Sequence, residues 1–304
     1  MKRIVVPALV CVLALAAGAC FGATITVPGD YATIGAAVAA ASDGDVINVS
    51  PGTYTENVVV DKAVTIRGVQ GADVTTVAAA SSSETVVSIK SSDVTISGFT
   101  ISGLTSPDWY WRAGVFIHGF DYAEANNACI SDVTVSKCII ENNQTGVMIS
   151  LAENSMIVNN TIRSNEDYLD SDDCCRTSGI TLCQCPLLPS TLGTQIVNNG
   201  IYQNDGNGIL FMPGASSWDL TGTKIFGNNF YQNGNGDGDW LPWACDITVW
   251  YAVGRIKVAG NKFLERIVEG SPKHGFWAYD APDAKVVGNP ERETLGPNIP
   301  MPTP

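Results

Sequence analysis

Apolar residues recur along this chain in short words rather than long runs, and their spacing defines a repeat. Ile101, Ile140, Ile162, Ile201, Phe230 and Phe263 are separated by 39, 22, 39, 29 and 33 residues. Five residues before each stands another apolar residue: Ile96, Val135, Ile157, Ile196, Ile225 and Val258. Three after it come Leu104, Asn143, Asn165, Asn204, Asn233 and Arg266. A third word, usually opened by glycine, completes each unit, as in Gly114-Val-Phe-Ile-His118, Gly146-Val-Met-Ile-Ser150, Gly179-Ile-Thr-Leu-Cys183, Gly208-Ile-Leu-Phe-Met212, Asp246-Ile-Thr-Val-Trp250 and Gly275-Phe-Trp-Ala-Tyr279. The pattern predicts three short strands per unit, with variable inserts between them. One such unit cannot bury its apolar face alone, so successive units must stack as turns of one coil and share a continuous core.

Asn160, Asn199, Asn228 and Asn261 each precede an apolar anchor by two residues, and Cys138 fills the same position in its unit. An amide both donates and accepts, so these side chains can bond the backbone of a tight turn and the same amide one turn away. A structural asparagine ladder is therefore expected, with Cys138 buried at its head. Near the amino end, Ile34, Ala37, Val38 and Ala41 share one helical face, with Thr33 placed to start a short helix and Gly44 to end it. That amphipathic helix is suited to plug the open end of the core.

Residues 24–70 contain Thr24-Ile-Thr-Val-Pro-Gly-Asp-Tyr31, Asp43-Gly-Asp-Val-Ile-Asn-Val-Ser-Pro-Gly-Thr-Tyr-Thr-Glu56 and Val64-Thr-Ile-Arg-Gly68. With the Asn-Asn repeats, they resemble the cap and first coils of the pectin-lyase-like right-handed parallel β-helix superfamily, over about residues 24–280. The resemblance implies an all-β chain, a single right-handed parallel β-helix with three strands per coil, about eight to ten coils and an amino-terminal capping helix. It is specific for fold, not for activity. Gly52-Thr-Tyr54-Thr-Glu56 resembles the first signature of pectin methylesterases, but their later catalytic words have no counterpart here. Arg255-Ile-Lys257 resembles a polygalacturonase signature, again without the words that should precede it. Alternation with Ile256 and Val258 makes Arg255 and Lys257 the solvated face of a strand.

The amino terminus changes the picture of compartment. Met1-Lys2-Arg3, an apolar run over residues 4–17 and small residues to Ala19 make residues 1–19 a secretory signal. Cys20 directly after them allows a lipid anchor, although Ala17 stands where such signals usually carry a larger aliphatic residue. The helix domain then spans 20–288, and the Pro-rich tail 289–304 is expected to be disordered. No other apolar stretch is long enough to span a membrane. Losing Lys2 and Arg3 moves the formal charge from -13 to -15. So acidic an exported chain, secreted, periplasmic or attached to the envelope, is a poor partner for nucleic acid, and polyanionic glycans would need bridging calcium. Seven cysteines lie beyond Cys20, and Cys174 or Cys175 with Cys183 or Cys185 could staple the acidic insert. Zinc is disfavoured there because no histidine lies near.

Strand alternation puts the second and fourth residues of each glycine-opened word inward. The others line up outward: Phe116 and His118, Met148 and Ser150, Thr181 and Cys183, Leu210 and Met212, Thr248 and Trp250, Trp277 and Tyr279. The inserts that enter these strands should emerge on one edge of the coil. They carry Trp109, Tyr110, Trp111 and Arg112; Asp167, Tyr168, Asp170, Asp172, Asp173 and Arg176; and Asp237, Asp239, Trp240 and Trp243. Aromatic rings stack on sugar faces and carboxylates bond hydroxyls, so a shallow polysaccharide-binding groove is expected, with Trp250 and Trp277 beside it. The alternative is that the tryptophans only fold the inserts against the coil. Hydrolysis would need two carboxylates flanking a bond, such as Asp170 or Asp173 with Asp237 or Asp239. Lyase chemistry would need a base beside a cation-neutralised uronate, for which Arg112, His118 and Arg176 are the candidates. A purely structural surface protein is the remaining class. Asn233, Asn235, Asp237 and Asp239 alternate oxygen side chains on a glycine-rich loop, as a calcium loop begins, but Ala244 stands where the bidentate glutamate belongs. The cofactor expectation is therefore none, or Ca2+.

Overall fold

A computed structural model of the chain describes residues 22–105, 112–126, 128–166, 177–183, 193–212, 218–234, 246–250, 252–253, 256–264, 275–279 and 285–287. Three parallel sheets of ten, eight and eight strands run side by side, each strand pairing with its equivalent one coil away. The coil visits them in order: first sheet, a bend that is usually two residues, second sheet, a bend of two to four residues or an insert, then third sheet. Thr134–Ser136, Ile139–Glu141 and Thr145–Ser150 form one such unit.

Register follows the apolar words. On the first sheet Ile96 pairs with Val135, then Ile157, Ile196, Ile225 and Val258 in turn. On the second, Ile101 pairs with Ile140, Ile162, Ile201, Phe230 and Phe263. All twelve are buried, joined by Val115, Ile117, Val147, Ile149, Ile180 and Leu182 of the third sheet. A one-residue slip would turn these files out to solvent, so the shared core fixes the register.

Both bends use one device. The first residue adopts left-handed backbone: Asn159 at φ +57° and Asn198 at φ +55° at the first bend, Asn142 at φ +53° and Gln203 at φ +56° at the second. Glycine or a short polar residue tolerates that region best. The residue that follows is buried and points along the coil axis. Asn-Asn pairs thus divide the work, the first bending the chain and the second filling the ladder.

Helix α1 (Ile34–Ala40) closes the amino end, with Ile34, Ala37 and Val38 buried in the main core. Thr33 caps it by accepting from Ala36 N at 3.1 Å. The helix ends at Ala41, whose N–H reaches the carbonyls of Ala37 and Val38. Gly44, expected as the terminator, instead makes a turn of its own at φ +89°. Glu56 supplies a cap that the sequence did not suggest. Its two carboxylate oxygens accept from Ile34 N and Gly35 N, each at 2.8 Å, so negative charge meets the positive end of the helix. No helix among the described residues is long and apolar enough to cross a membrane.

Candidate functional site

Topology brings the strands that the long inserts enter into one sheet. Strands Val115–His118, Thr145–Ser150, Ser178–Cys183, Asn207–Met212 and Ile247–Trp250 are consecutive neighbours in the third sheet. The inserts that end at Val115, Ser178 and Ile247 enter alternate strands of this run, while Thr145 and Asn207 are reached by short links. Two strand spacings separate the entry points, about 10 Å. Trp109, Tyr110, Trp111, Tyr168, Asp170, Asp173, Arg176, Asn235, Asp237, Asp239, Trp240 and Trp243 belong to these inserts and lie outside the described residues.

The outward files of the third sheet align as expected. Phe116 pairs with Met148, Thr181, Leu210, Thr248 and Trp277, and His118 with Ser150, Cys183 and Met212. Trp250 pairs with Tyr279 farther along. From Phe116 to Thr248 the first of these files is not open surface, however. Phe116 and Met148 are each 4% exposed, Thr181 and Leu210 each 1%, and Ser150 and Thr248 fully buried. Ala113, Phe116, Met148 and Cys183 form a second apolar cluster outside the coil, with Phe120 and Met212 packed against it. Helix α2 (Phe120–Asn126), which no periodicity announced, carries Phe120 to this cluster and buries Ala123 against Leu151.

At the amino end of this face the described polar groups gather. His118 Nε2 lies 2.9 Å from Ser88 Oγ. The ring packs on Phe116 with centroids 4.4 Å apart and on Phe120 at 5.4 Å, and Nδ1 is buried without a hydrogen-bond partner. Burial, then the charge of Lys90, push the imidazole pKa down to about 4; Asp121 opposes them, and Arg112 adds a smaller push. Lys90 Nζ meets Asp121 Oδ2 at 3.0 Å, and Arg112 Nε meets Glu84 Oε2 at 3.5 Å. Of the three lyase candidates, Arg112 and His118 are therefore brought together, around a neutral imidazole flanked by two cations. Arg176 lies outside the described residues.

Asn160, Asn199, Asn228 and Asn261 form a file. Each side-chain oxygen accepts from the backbone N–H of the ladder residue one coil earlier, 2.9 Å for the Asn160, Asn199 and Asn228 amides, and Cys138 N heads the file at 2.9 Å from Asn160 Oδ1. Each Nδ2 donates to a first-sheet carbonyl, as Asn199 does to Ile157 O at 2.8 Å. Burial pushes the Cys138 thiol up to about 11.

A second file, five residues downstream in each coil, was not anticipated. Asn143, Asn165, Asn204 and Asn233 bond one another in the same way, and Leu104 N heads them at 3.2 Å from Asn143 Oδ1. Its signal was present as the N-x4-N spacing of Asn160 with Asn165, Asn199 with Asn204 and Asn228 with Asn233. This file also explains the glycines. A Cβ on Gly146 would come within 2.9 Å of Asn165 Nδ2 and 2.5 Å of Gly179 O; on Gly179 it would meet Asn204 Nδ2 at 3.0 Å. Where Arg266 takes the asparagine position, the glycine position holds Asp246, and its Oδ1 accepts from Asn233 Nδ2 at 2.9 Å. Asn233 of the expected calcium loop is thus committed to the ladder: its oxygen accepts from Asn204 Nδ2 at 2.8 Å and its nitrogen donates to Asp246 and to Ile201 O. Cys183, proposed for a staple, carries a free thiol that burial pushes up to about 12. Its outward position turns it into the second apolar cluster instead.

Comparison with known proteins fits this architecture. The family described as right handed beta helix region matches residues 62–263. A cell surface glycoprotein of Methanothermus fervidus is 32% identical over 95 residues, 31% of this chain and 14% of that protein, so the chain spans a small part of that relative's length. Among solved structures, an alginate lyase from Paenibacillus sp. str. FPU-7 superposes with a TM-score of 0.61 at 16% identity, covering 90% of this chain and 96% of that one. Pectate lyase Pel9A superposes with a TM-score of 0.58 at 13% identity, covering 85% and 69%. At such identities the likeness is one of fold.

Proposed function

The chain belongs to the right-handed parallel β-helix family of pectin-lyase-like proteins, and from that premise we propose that it is an exported or envelope-attached protein that binds polysaccharide at the insert-bearing edge of its third sheet. One observation carries the reading: inserts rich in tryptophan, tyrosine and aspartate enter alternate strands of one sheet although they are far apart in sequence. Trp109, Tyr110, Trp111, Tyr168, Trp240 and Trp243 would stack on sugar faces, and neighbouring aspartates would accept from hydroxyls. The secretory signal at residues 1–19, and the partial likeness to a cell surface glycoprotein, support export. Lipidation of Cys20 would hold the protein at the envelope.

A second reading, a polysaccharide lyase, is favoured by the cluster at His118. A lyase base must be neutral to take a proton, and cations beside it must neutralise the uronate whose α-proton leaves. His118, Lys90 and Arg112 have those properties, but a pKa of about 4 makes His118 a weak base. The two readings separate in one assay. The full chain is mixed with neutral and uronic polysaccharides, following binding by affinity electrophoresis and turnover by the absorbance of unsaturated product or by reducing ends. Retardation without turnover is expected. Unsaturated product abolished in His118→Ala would overturn the binding-only reading in favour of the lyase; reducing ends without it would point to a hydrolase. Neither binding nor turnover would leave a structural surface protein.

A further inference from the structure

Helix α2 is fastened to the outer face of the third sheet chiefly by aromatic packing. Phe120 stands edge-on to Phe116 with ring centroids 6.1 Å apart and lies on His118 at 5.4 Å. Farther along, Ala123 is buried against Leu151. Asp121 takes the Lys90 ammonium, but its side chain is 75% exposed, so that ion pair contributes little. A helix of seven residues is marginal in water on its own, so α2 stays helical only while it is docked.

The surroundings of His118, beneath this helix, suit only a neutral ring. Nε2 is 2.9 Å from Ser88 Oγ, and Nδ1 is buried with no hydrogen-bond partner. Ser88 and Lys90 face the ring from the preceding coil, Ser150 stands beside it on the following coil, and Asp121 faces it from α2, whose Tyr122 and Glu124 are exposed. Arg112, in the segment entering the same strand, is paired with Glu84. A neutral ring that donates from Nε2 to Ser88 leaves only a lone pair at Nδ1. An imidazolium would bury an unpaired N–H there and set a charge between two aromatic rings and beside Lys90, with Asp121 already committed to that lysine. Undocking α2 removes Phe120 and admits water to the ring, which relieves each of these penalties. With α2 docked they hold the imidazole pKa at about 4, and solvent returns it toward 6.5. The open form therefore binds the additional proton, and docking weakens about tenfold per pH unit as pH falls through that window.

We propose that α2 is an acid-released lid: protonation of His118 detaches the helix locally, with the coil intact, and uncovers Phe116 and the apolar cluster around it. The lid stands independently of what the groove binds.

The experiment follows hydrogen exchange of the full chain between pH 7 and pH 4.5, expressed as protection corrected for the intrinsic pH dependence of exchange. Residues 119–126 should lose at least tenfold in protection over that range, while strand Thr145–Ser150 stays unchanged. His118→Gln, or His118→Phe if the first does not fold, should remove the pH dependence of those amides. Asp121→Asn should keep it; its disappearance there would move the trigger to the carboxylate and overturn the assignment to His118. In Phe120→Ala, which loosens the helix at every pH, the apparent pKa of His118 read by NMR should rise toward 6.5, His274 being the chain's other histidine. An unmoved value would show that the helix does not hold the ring neutral. Protection of residues 119–126 that is the same at both pH values, or a pH dependence that survives the His118 variants, would overturn the lid. A parallel loss in Thr145–Ser150 would do so too, since the acid response would then be unfolding of the coil.

Discussion

At the scale of single residues the asparagine amide decides the bend. Asn199 accepts from Asn160 N at 2.9 Å and donates to Ile157 O at 2.8 Å and to Asn228 Oδ1 at 3.0 Å, all buried. Asn199→Ala orphans two backbone groups that water cannot reach, so it should destabilise the chain by about 2–5 kcal/mol in denaturant unfolding. His118 makes the second residue-level prediction. Its folded pKa is depressed from 6.5 to about 4, so between those values the unfolded chain binds the additional proton. Stability therefore rises with pH from about 4 to about 6.5 and is lost on acidification through that window. Carboxylates contribute a slope of the same sign at the acid end. The diagnostic is that His118→Gln flattens the wild-type curve between pH 5 and 6.5. The first ladder was legible because four asparagines keep one offset from an apolar anchor. The second was not read, although Asn143, Asn165, Asn204 and Asn233 keep an offset just as fixed, because they follow their anchors and look like ordinary turn residues. Glu56 was illegible for a different reason: it caps a helix 21 and 22 residues away, and such a partner follows only from the coiled path.

At the scale of elements, strands were predictable wherever apolar residues alternate, and the registers of both apolar files emerge as the spacing implies. Alternation says which side of a strand faces the core but not whether the other side meets water. The outward files at Phe116, Met148 and Leu210 were accordingly expected as surface and are buried. Helix α2 was missed because its seven residues, Phe120–Asn126, bury only Ala123 and so give little periodic signal. The glycines opening the third-sheet strands are an element-level constraint, set by the neighbouring ladder. Gly179→Ala would bring a Cβ within 2.7 Å of Gly208 O, which is backbone and cannot swing aside. A loss of about 1–3 kcal/mol is expected from such overpacking, read as a lowered unfolding midpoint.

At the scale of the whole molecule, stacking converts sequence distance into neighbourhood. The strands that the three inserts enter, Val115–His118, Ser178–Cys183 and Ile247–Trp250, alternate in one sheet only because the coils stack. The composition of those inserts could be read from the sequence, and so could the sheet whose strands they enter once the repeat was aligned. The sugar they would take could not, since the fold is shared by proteins with different chemistry. Hydrogen exchange of the full chain with and without a bound neutral polysaccharide tests the central claim most directly. The account predicts slowed exchange in those three inserts and unchanged exchange at Lys224–Phe226 and Lys257–Ala259. Binding that left the three inserts unprotected, or protected only one of them, would contradict it.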